Sequence, residues 1–214
     1  MKTTIIGAGN MGQGIASRFV AGGHSVTFVD ADPQAAEKAA AEILASAQNG
    51  ATVDTAHLDD VELGEVVVLA LWYGANKQVV QQLGDKLSGK VVVDIANPLN
   101  ETFDGLATAP GSSSAEEVAE VANPGAAVLK AFNTTFAGTL HSGAVDGQPL
   151  DVFIAGDNET AKGKLKQLVE DGGMRPVDIG PLERARNIEA MGLLHIILQS
   201  ELNTKWGSGV KILG

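Results

Sequence analysis

Within its first thirty residues the chain passes from an apolar run, through a glycine-punctuated turn and a helical stripe, into a second apolar run. "TTIIG" (3–7) reads as a buried strand stopping at glycine, and "HSVTFVD" (24–30) as a strand stopping at a carboxylate. Between them Ile15, Phe19 and Val20 recur at helical spacing until Gly22 and Gly23 break the pattern. Strand, helix and strand in so short a stretch leave one arrangement, two parallel strands joined by a right-handed crossover.

The alternation continues. "DPQAAEKAAAEILASA" predicts a helix with Pro33 near its start, and a short strand follows near 51–53. "EVVVLALW" (65–72) and "KVVVDIANP" (90–98) are continuous apolar runs of the kind buried on both faces of a parallel sheet, with the helix "GANKQVVQQLGDKL" between them. After Pro98 a loop rich in Gly, Pro, Ser and Thr intervenes. Ser114 and Glu117 then have the spacing of a capping box. Strands are predicted at 126–132 and 150–157, a helix at "NETAKGKLKQLVEDGG", a strand at "RPVDIG" and a long helical stretch from 181 to about 203. The fold class is α/β: a Rossmann-type, doubly wound, mostly parallel sheet with a C-terminal helical extension. Residues 1–180 form the dinucleotide-binding domain, and 181–214 the extension that completes a substrate pocket and offers a dimer interface.

The first turn carries the chemistry. In GxGxxG, Gly7 ends the strand, Gly9 lets a pyrophosphate approach the backbone and Gly12 lets the helix pack on the strand. The free N–H groups of that helix then face the phosphates. Asp30, eighteen positions beyond Gly12, is placed to accept hydrogen bonds from both ribose hydroxyls. A carboxylate there repels a 2′-phosphate. Ala31, Asp32 and Pro33 supply no cation, and the first is Lys38. These side chains favour NAD over NADP.

Composition removes other functions. The net charge is −11, from 26 acidic and 15 basic residues, with no basic cluster for nucleic acid or anionic membrane. No cysteine occurs, which excludes disulfides, thiolate metal sites and a cysteine nucleophile. "MGLLHIIL" is too short to span a bilayer, and no signal peptide precedes the first strand, so a cytoplasmic location is expected. The histidines at 24, 57, 141 and 195 have no metal-ligand spacing, and no metal is expected. His195 reads as a hydrogen-bonded core residue. Lys130 either reaches a bound cofactor or lies in solvent. "GSSSAEE" is a helix cap, and Arg184 and Arg186 either touch an anionic substrate or are surface charge. Apolar residues encircle the last helix, so a sheet face or a partner subunit must cover it.

"IIGAGNMGQGIA", "KAFNTTFAG" (130–138), "VFIAGDNETAK" (152–162), "RPVDIGPLERARNIEAM" (175–191) and the closing "WGSGVKIL" occur in an order that resembles the coenzyme F420-dependent NADP oxidoreductases. The cytoplasmic domains of the STEAP ferric reductases are relatives of that family. The resemblance spans nearly the whole chain and implies hydride exchange between NAD(P) and a deazaflavin (F420) or flavin, usually in a homodimer. By position it implies that Gly7, Gly9, Asn10, Met11 and Gly12 hold the pyrophosphate. Leu71 and Trp72 then lie beside the path from adenosine to nicotinamide, and Ala96, Asn97 and Pro98 flank the nicotinamide. Asn133, Thr134, Pro181 and Leu182 would help wall the second substrate's pocket. Archaeal members carry Ser-Arg in place of Asp30 and Ala31, and His in place of Asn133, so the resemblance implies NADP where the side chains favour NAD.

Hydride transfer between stacked rings depends on positioning, and no side chain is assigned a catalytic role. Two other readings fit the opening motif. Pyrroline-carboxylate reductases and β-hydroxyacid dehydrogenases open similarly but carry a larger helical C-terminal domain. The dehydrogenases also need a Lys four residues before an Asn on a helix, a pair missing after Gly180. The third reading is a non-catalytic module that senses the dinucleotide.

Overall fold

The computed structural model describes residues 1–45, 47 and 50–213. Ser46, within the second predicted helix, and Gly214 lie outside the described residues. The first half of the chain runs β1 (Lys2–Ile6), α1 (Asn10–Ala21), β2 (Ser25–Val29), α2 (Pro33–Leu44), β3 (Val53–Ala56), β4 (Val66–Leu69), α3 (Tyr73–Leu83) and β5 (Val91–Asp94). The second half runs α4 (Ser114–Val121), β6 (Ala127–Lys130), α5 (Ala137–Ser142), β7 (Ala144–Val145), β8 (Gln148–Pro149), β9 (Asp151–Gly156), α6 (Glu159–Asp171), β10 (Arg175–Asp178) and α7 (Ala185–Glu201).

One eight-stranded sheet has the order β10-β9-β6-β5-β4-β1-β2-β3. From β3 to β6 neighbouring strands are parallel, as are β9 and β10, but β6 and β9 are antiparallel. Between them the chain makes α5 and the small β7–β8 hairpin, so it re-enters the sheet in the opposite direction. The fold is Rossmann-type with a C-terminal helix, as its sequence pattern predicts.

Alternation along each strand feeds two cores. Ile5, Val66, Val68, Val91 and Val93 pack with Ile15, Phe19 and Phe28 on one face. Ile6, Val67, Leu69 and Val92 pack with Val80, Leu83 and Val118 on the other. Burying each such side chain is worth about 1.5–3 kcal/mol, so the runs need no polar alternation.

Four local readings differ from the sequence pattern. β3 lies slightly beyond 51–53. The cap of α4 is Ser113, whose Oγ accepts from the Glu116 N–H at 3.2 Å and donates to the Glu116 carboxylate at 2.7 Å. The capping box is therefore one residue earlier than Ser114 and Glu117 suggest. α5 and its hairpin follow "KAFNTTF", where short polar residues mask the period. On α7 the covered stripe carries Ile188, Glu189, Gly192, His195 and Gln199, while Leu194 and Ile197 point outward. The covered side of α7 is the more polar one, because its polar groups find partners on the end of β6, the segment after it, the start of α4 and the tail around Ser208.

The segment after α7 folds back along the molecule. The Ser208 Oγ lies 2.8 Å from His195 Nε2. Asp151, buried at the start of β9, accepts from Arg175 Nε at 2.7 Å, Lys211 Nζ at 3.1 Å and the Ile212 N–H at 2.9 Å. Burial pushes the Asp151 carboxyl up, but bonds from Arg175, Ile212 and Lys211 outweigh it and hold the group at about 2. Its folded pKa is thus below the unfolded value of about 3.9, so it adds about 2 kcal/mol above pH ~5, lost as pH falls from 4 toward 2. Asp151→Asn is expected to lower stability in urea unfolding by about that amount at pH 7, and to flatten the acid dependence between pH ~5 and ~2. An unchanged acid limb would show that the tail is not held this way.

Candidate active site

The carboxyl ends of β1, β4, β5 and β6 open onto one cavity of about 700 Å³. β1 pairs with β2 on one side and β4 on the other, so the chain leaves β1 and β4 toward opposite faces of the sheet. Such a divergence leaves a crevice at the strand ends.

The turn after β1 forms one wall. Gly7 has φ +105°, and a Cβ on it would stand 2.2 Å from the Ala70 carbonyl oxygen. A Cβ on Gly12 would stand 2.1 Å from the Gly7 carbonyl oxygen. Both glycines are demanded by the protein's own packing. Gly9 is different: it has φ −72°, and a Cβ there would meet no atom within 4 Å. Nothing in the chain requires glycine at that position. Gly9 precedes α1, whose N-terminus has neither a side-chain cap nor an acidic residue in its first turn. The open helix end and the open glycine together make a cradle for an anion.

Asp30 fixes this turn from β2. Its Oδ2 accepts from the Ala8 N–H at 2.7 Å and its Oδ1 from the Asp32 N–H at 3.0 Å. Each carboxylate oxygen keeps a further lone pair. Asp32 in turn caps α2 by accepting from the Gln34 N–H at 3.0 Å.

The opposite wall rests on polar ties between β5, β6 and α7. Asn97 Nδ2 donates to the Asn133 carbonyl at 2.7 Å, and Asn133 Nδ2 donates to Asn97 Oδ1 at 3.0 Å and to the Ile188 carbonyl at 2.7 Å. Gly192 lets α7 approach, since a Cβ there would lie 2.4 Å from Asn97 Oδ1. Behind them Lys130 is fully buried, 2.8 Å from Asp94 and 2.7 Å from Glu189. It also donates to the Ala96 carbonyl, while Asp94 Oδ1 accepts from Asn76 Nδ2 at 2.7 Å and the Ala96 N–H at 3.1 Å. Both sequence readings of Lys130 are thereby corrected, because it reaches neither the cavity nor solvent. Burial pushes the Glu189 carboxyl up, with Lys130 pulling against it.

The cavity brings together Gly9, Asn10, Met11, Leu71, Trp72, Ala96, Asn97 and Asn133. Gly7, Gly12 and Asp30 stand behind the turn. Pro98 is buried in the loop beyond β5. Thr134 points away, and its carbonyl lies 3.2 Å from His195 Nδ1. Pro181 is exposed, and Leu182 packs into the core on the other face of the sheet with Val118. Thr134, Pro181 and Leu182 therefore do not border this cavity, whereas Thr135, Phe136 and Ile196 do. Tyr73, Phe103 and Trp206 also border the cavity. Only Trp206, flanked by glycine in the closing motif, left a sequence signal. The Tyr73 hydroxyl donates to Glu117, and burial together with that carboxylate pushes the phenol up to about 12. Arg186 pairs with Glu116 outside the cavity. Among the described residues no group of three His, Cys, Asp or Glu could hold a metal ion, and no helix is long and apolar enough to cross a membrane.

Residues 2–98 match the family model described as NADP oxidoreductase, coenzyme F420-dependent. The chain is 32% identical over 226 residues to the F420-dependent NADP reductase of Methanocaldococcus jannaschii, covering 99% of this chain and 98% of that protein. It is 31% identical over 192 residues to the metalloreductase STEAP3 of Rattus norvegicus, covering 90% of this chain but only 36% of that longer protein. A solved structure from Arthrobacter sp. FB24, inferred to be an F420-dependent NADP reductase, superposes with TM-score 0.85 at 27% identity over the whole of both chains. Pyrroline-5-carboxylate reductase from Coxiella burnetii shares the fold alone, with TM-score 0.63 at 16% identity over 95% of this chain and 68% of that one. By its length-wide similarity to the archaeal reductase, the chain belongs to the F420-dependent NADP oxidoreductase family and is an oxidoreductase.

Proposed function

We propose that the protein holds a nicotinamide dinucleotide along the strand ends, from Asp30 across the start of α1 to Ala96 and Asn97, and exchanges a hydride with a deazaflavin or flavin ring in the same cavity. The observation that carries this reading is Gly9. It is a glycine that the protein's own packing does not need, above an uncapped helix end. A pyrophosphate fits that cradle, and its charge is met by the N–H groups of Asn10, Met11 and Gly12. Bound there, the dinucleotide supplies a two-electron hydride donor or acceptor at its nicotinamide ring. The chain's part is to orient the rings and exclude water. The tied amides of Asn97 and Asn133 stiffen the wall beside them, which favours an aligned approach.

Gly9→Ala is expected to leave the thermal midpoint almost unchanged while weakening NADH and NADPH binding at least about ten-fold in calorimetry. Gly7→Ala must relieve a backbone clash and a left-handed φ, and is expected to cost more than about 1 kcal/mol in stability. Equal affinities in wild type and Gly9→Ala would remove the pyrophosphate from this turn.

Asp30, Ala31 and Asp32 favour a free 2′-hydroxyl, hence NAD(H), whereas the names of the reductase relatives carry NADP and F420. Rates with NADH or NADPH against F420 or FMN test both parts. NADH is expected to serve better, and Asp30→Ser with Ala31→Arg to shift preference toward NADPH. Unchanged relative affinities in the double variant would remove Asp30 from the ribose.

A second copy of this chain is the proposed cover for Leu194, Ile197 and Leu202, which are exposed in one stretch at the end of α7. Sedimentation is expected to give a dimer that Leu194→Glu with Ile197→Glu dissociates. A wild-type monomer at micromolar concentration would defeat this assignment.

A further inference from the structure

We infer that the hydride acceptor is a planar ring uncharged at neutral pH, seated against Trp206, Phe136 and Phe103. The inference rests on the reading of the cavity as a hydride-transfer site, and narrows the acceptor from deazaflavins and flavins together to the neutral isoalloxazine ring of a flavin.

The lining is the first observation. Among the described residues that border the cavity there is no Lys, Arg, His, Asp or Glu. Its polar side-chain groups are three amides, from Asn10, Asn97 and Asn133, the hydroxyls of Thr135 and Tyr73, and the indole N–H groups of Trp72 and Trp206. In a chain with 26 acidic and 15 basic residues, that leaves an anionic ring without a counter-charge. His195, the titratable group behind Phe136, does not border the cavity, and burial pushes its imidazole down.

The rings are the second observation. Phe103 is 56% exposed and Trp206 52% exposed, although both are large and apolar. Both also have a left-handed backbone, with φ 59° and 62°. Bulky residues rarely adopt that conformation, and here local bonds impose it. Phe103 sits in a turn closed by Asn100 Nδ2 donating to Asp104 at 2.9 Å and Thr102 Oγ1 donating to Asp104 at 2.6 Å. Trp206 stands edge-on to Phe136 with ring centroids 5.0 Å apart, and Phe136 lies 4.3 Å from the His195 ring. On either side of Trp206, Thr204 and Ser208 are bonded to Gln199. The fold thus holds exposed rings at one cavity in strained backbone, as a face for a flat apolar partner would require.

The transfer balances without any ionisable side chain. The C–H bond of the reduced nicotinamide breaks with its electron pair, and a new N–H bond forms on the acceptor ring. Nicotinamide is oxidised, the acceptor ring is reduced by two electrons, and the one proton that completes its neutral reduced form comes from water.

The test uses two probes with the same ribityl chain: riboflavin, with a neutral ring, and 8-hydroxy-5-deazariboflavin, whose ring hydroxyl is largely ionised at pH 8. Direct titration of the full-length protein by probe fluorescence, at pH 8, is expected to show riboflavin binding at least about ten-fold tighter. Trp206→Ala and Phe103→Ala are each expected to weaken riboflavin about ten-fold and leave calorimetric NADH affinity within about two-fold, with Trp206→Phe retaining most of the binding. Equal or tighter binding of the deazaflavin, or riboflavin affinity indifferent to both alanine variants, would overturn the inference. Absence of NADH and NADPH binding by calorimetry would instead overturn the dinucleotide reading, and it is scored separately from the riboflavin titration.

Discussion

Three stretches of backbone meet at Gly7, and the remainder of the site depends on that contact. The glycine's left-handed φ brings its Cα against the Ala70 carbonyl, and its own carbonyl reaches to where a side chain at Gly12 would begin. No residue with a Cβ fits at either position without moving β4 or α1. The contact sets α1 close on the strand and aims its uncapped N-terminus along the strand ends. It also keeps the β4 turn, with Leu71 and Trp72, beside the β1 turn, so that the two border a single cavity.

The far side of the cavity is fixed by charge. Lys130 and Asp94 are cross-strand neighbours at the ends of β6 and β5, and Glu189 comes from α7. Burying three charged groups is costly, and such a network is weak evidence for stability in itself. Removing one member is what costs most, because the others are left unpaired. The same lysine and aspartate bond the carbonyl and the N–H of Ala96, so the network sets the path of the loop that forms the cavity floor. An acidic protein has thus placed these three buried groups behind the wall and left the wall itself without Asp, Glu, His, Lys or Arg among its described residues.

Much of the core was legible in the sequence because both signals it rests on are local. Apolar runs such as "VVVL" and "VVVD" are strands whatever surrounds them, and the spacing from Gly7 to Gly12 to Asp30 follows from one crossover. The antiparallel turn between β6 and β9 was harder to read, since α5 is short and its period is interrupted by Thr and Gly. Lys130 was misread because a lysine at a strand end says nothing of the carboxylate 59 positions later that meets it. Pro181 and Leu182 follow a strand end in sequence, yet the short 3₁₀ turn they begin packs on the face away from the cavity.

By itself the sequence determined the βαβ opening, the two-sided apolar strands, the glycines of the first turn and the carboxylate at the end of β2. Each of these is a relation between residues close along the chain, where backbone geometry fixes the outcome. Only the tertiary structure decided which glycine is spare, which side of α7 is covered, and which rings stand at the cavity. Gly9 differs from Gly7 in its backbone angle and in what lies across from it, and Phe103, Phe136 and Trp206 come from three separate segments. Their meeting depends on hydrogen bonds and backbone angles that no local pattern encodes, because the partners are chosen by packing between distant parts of the chain.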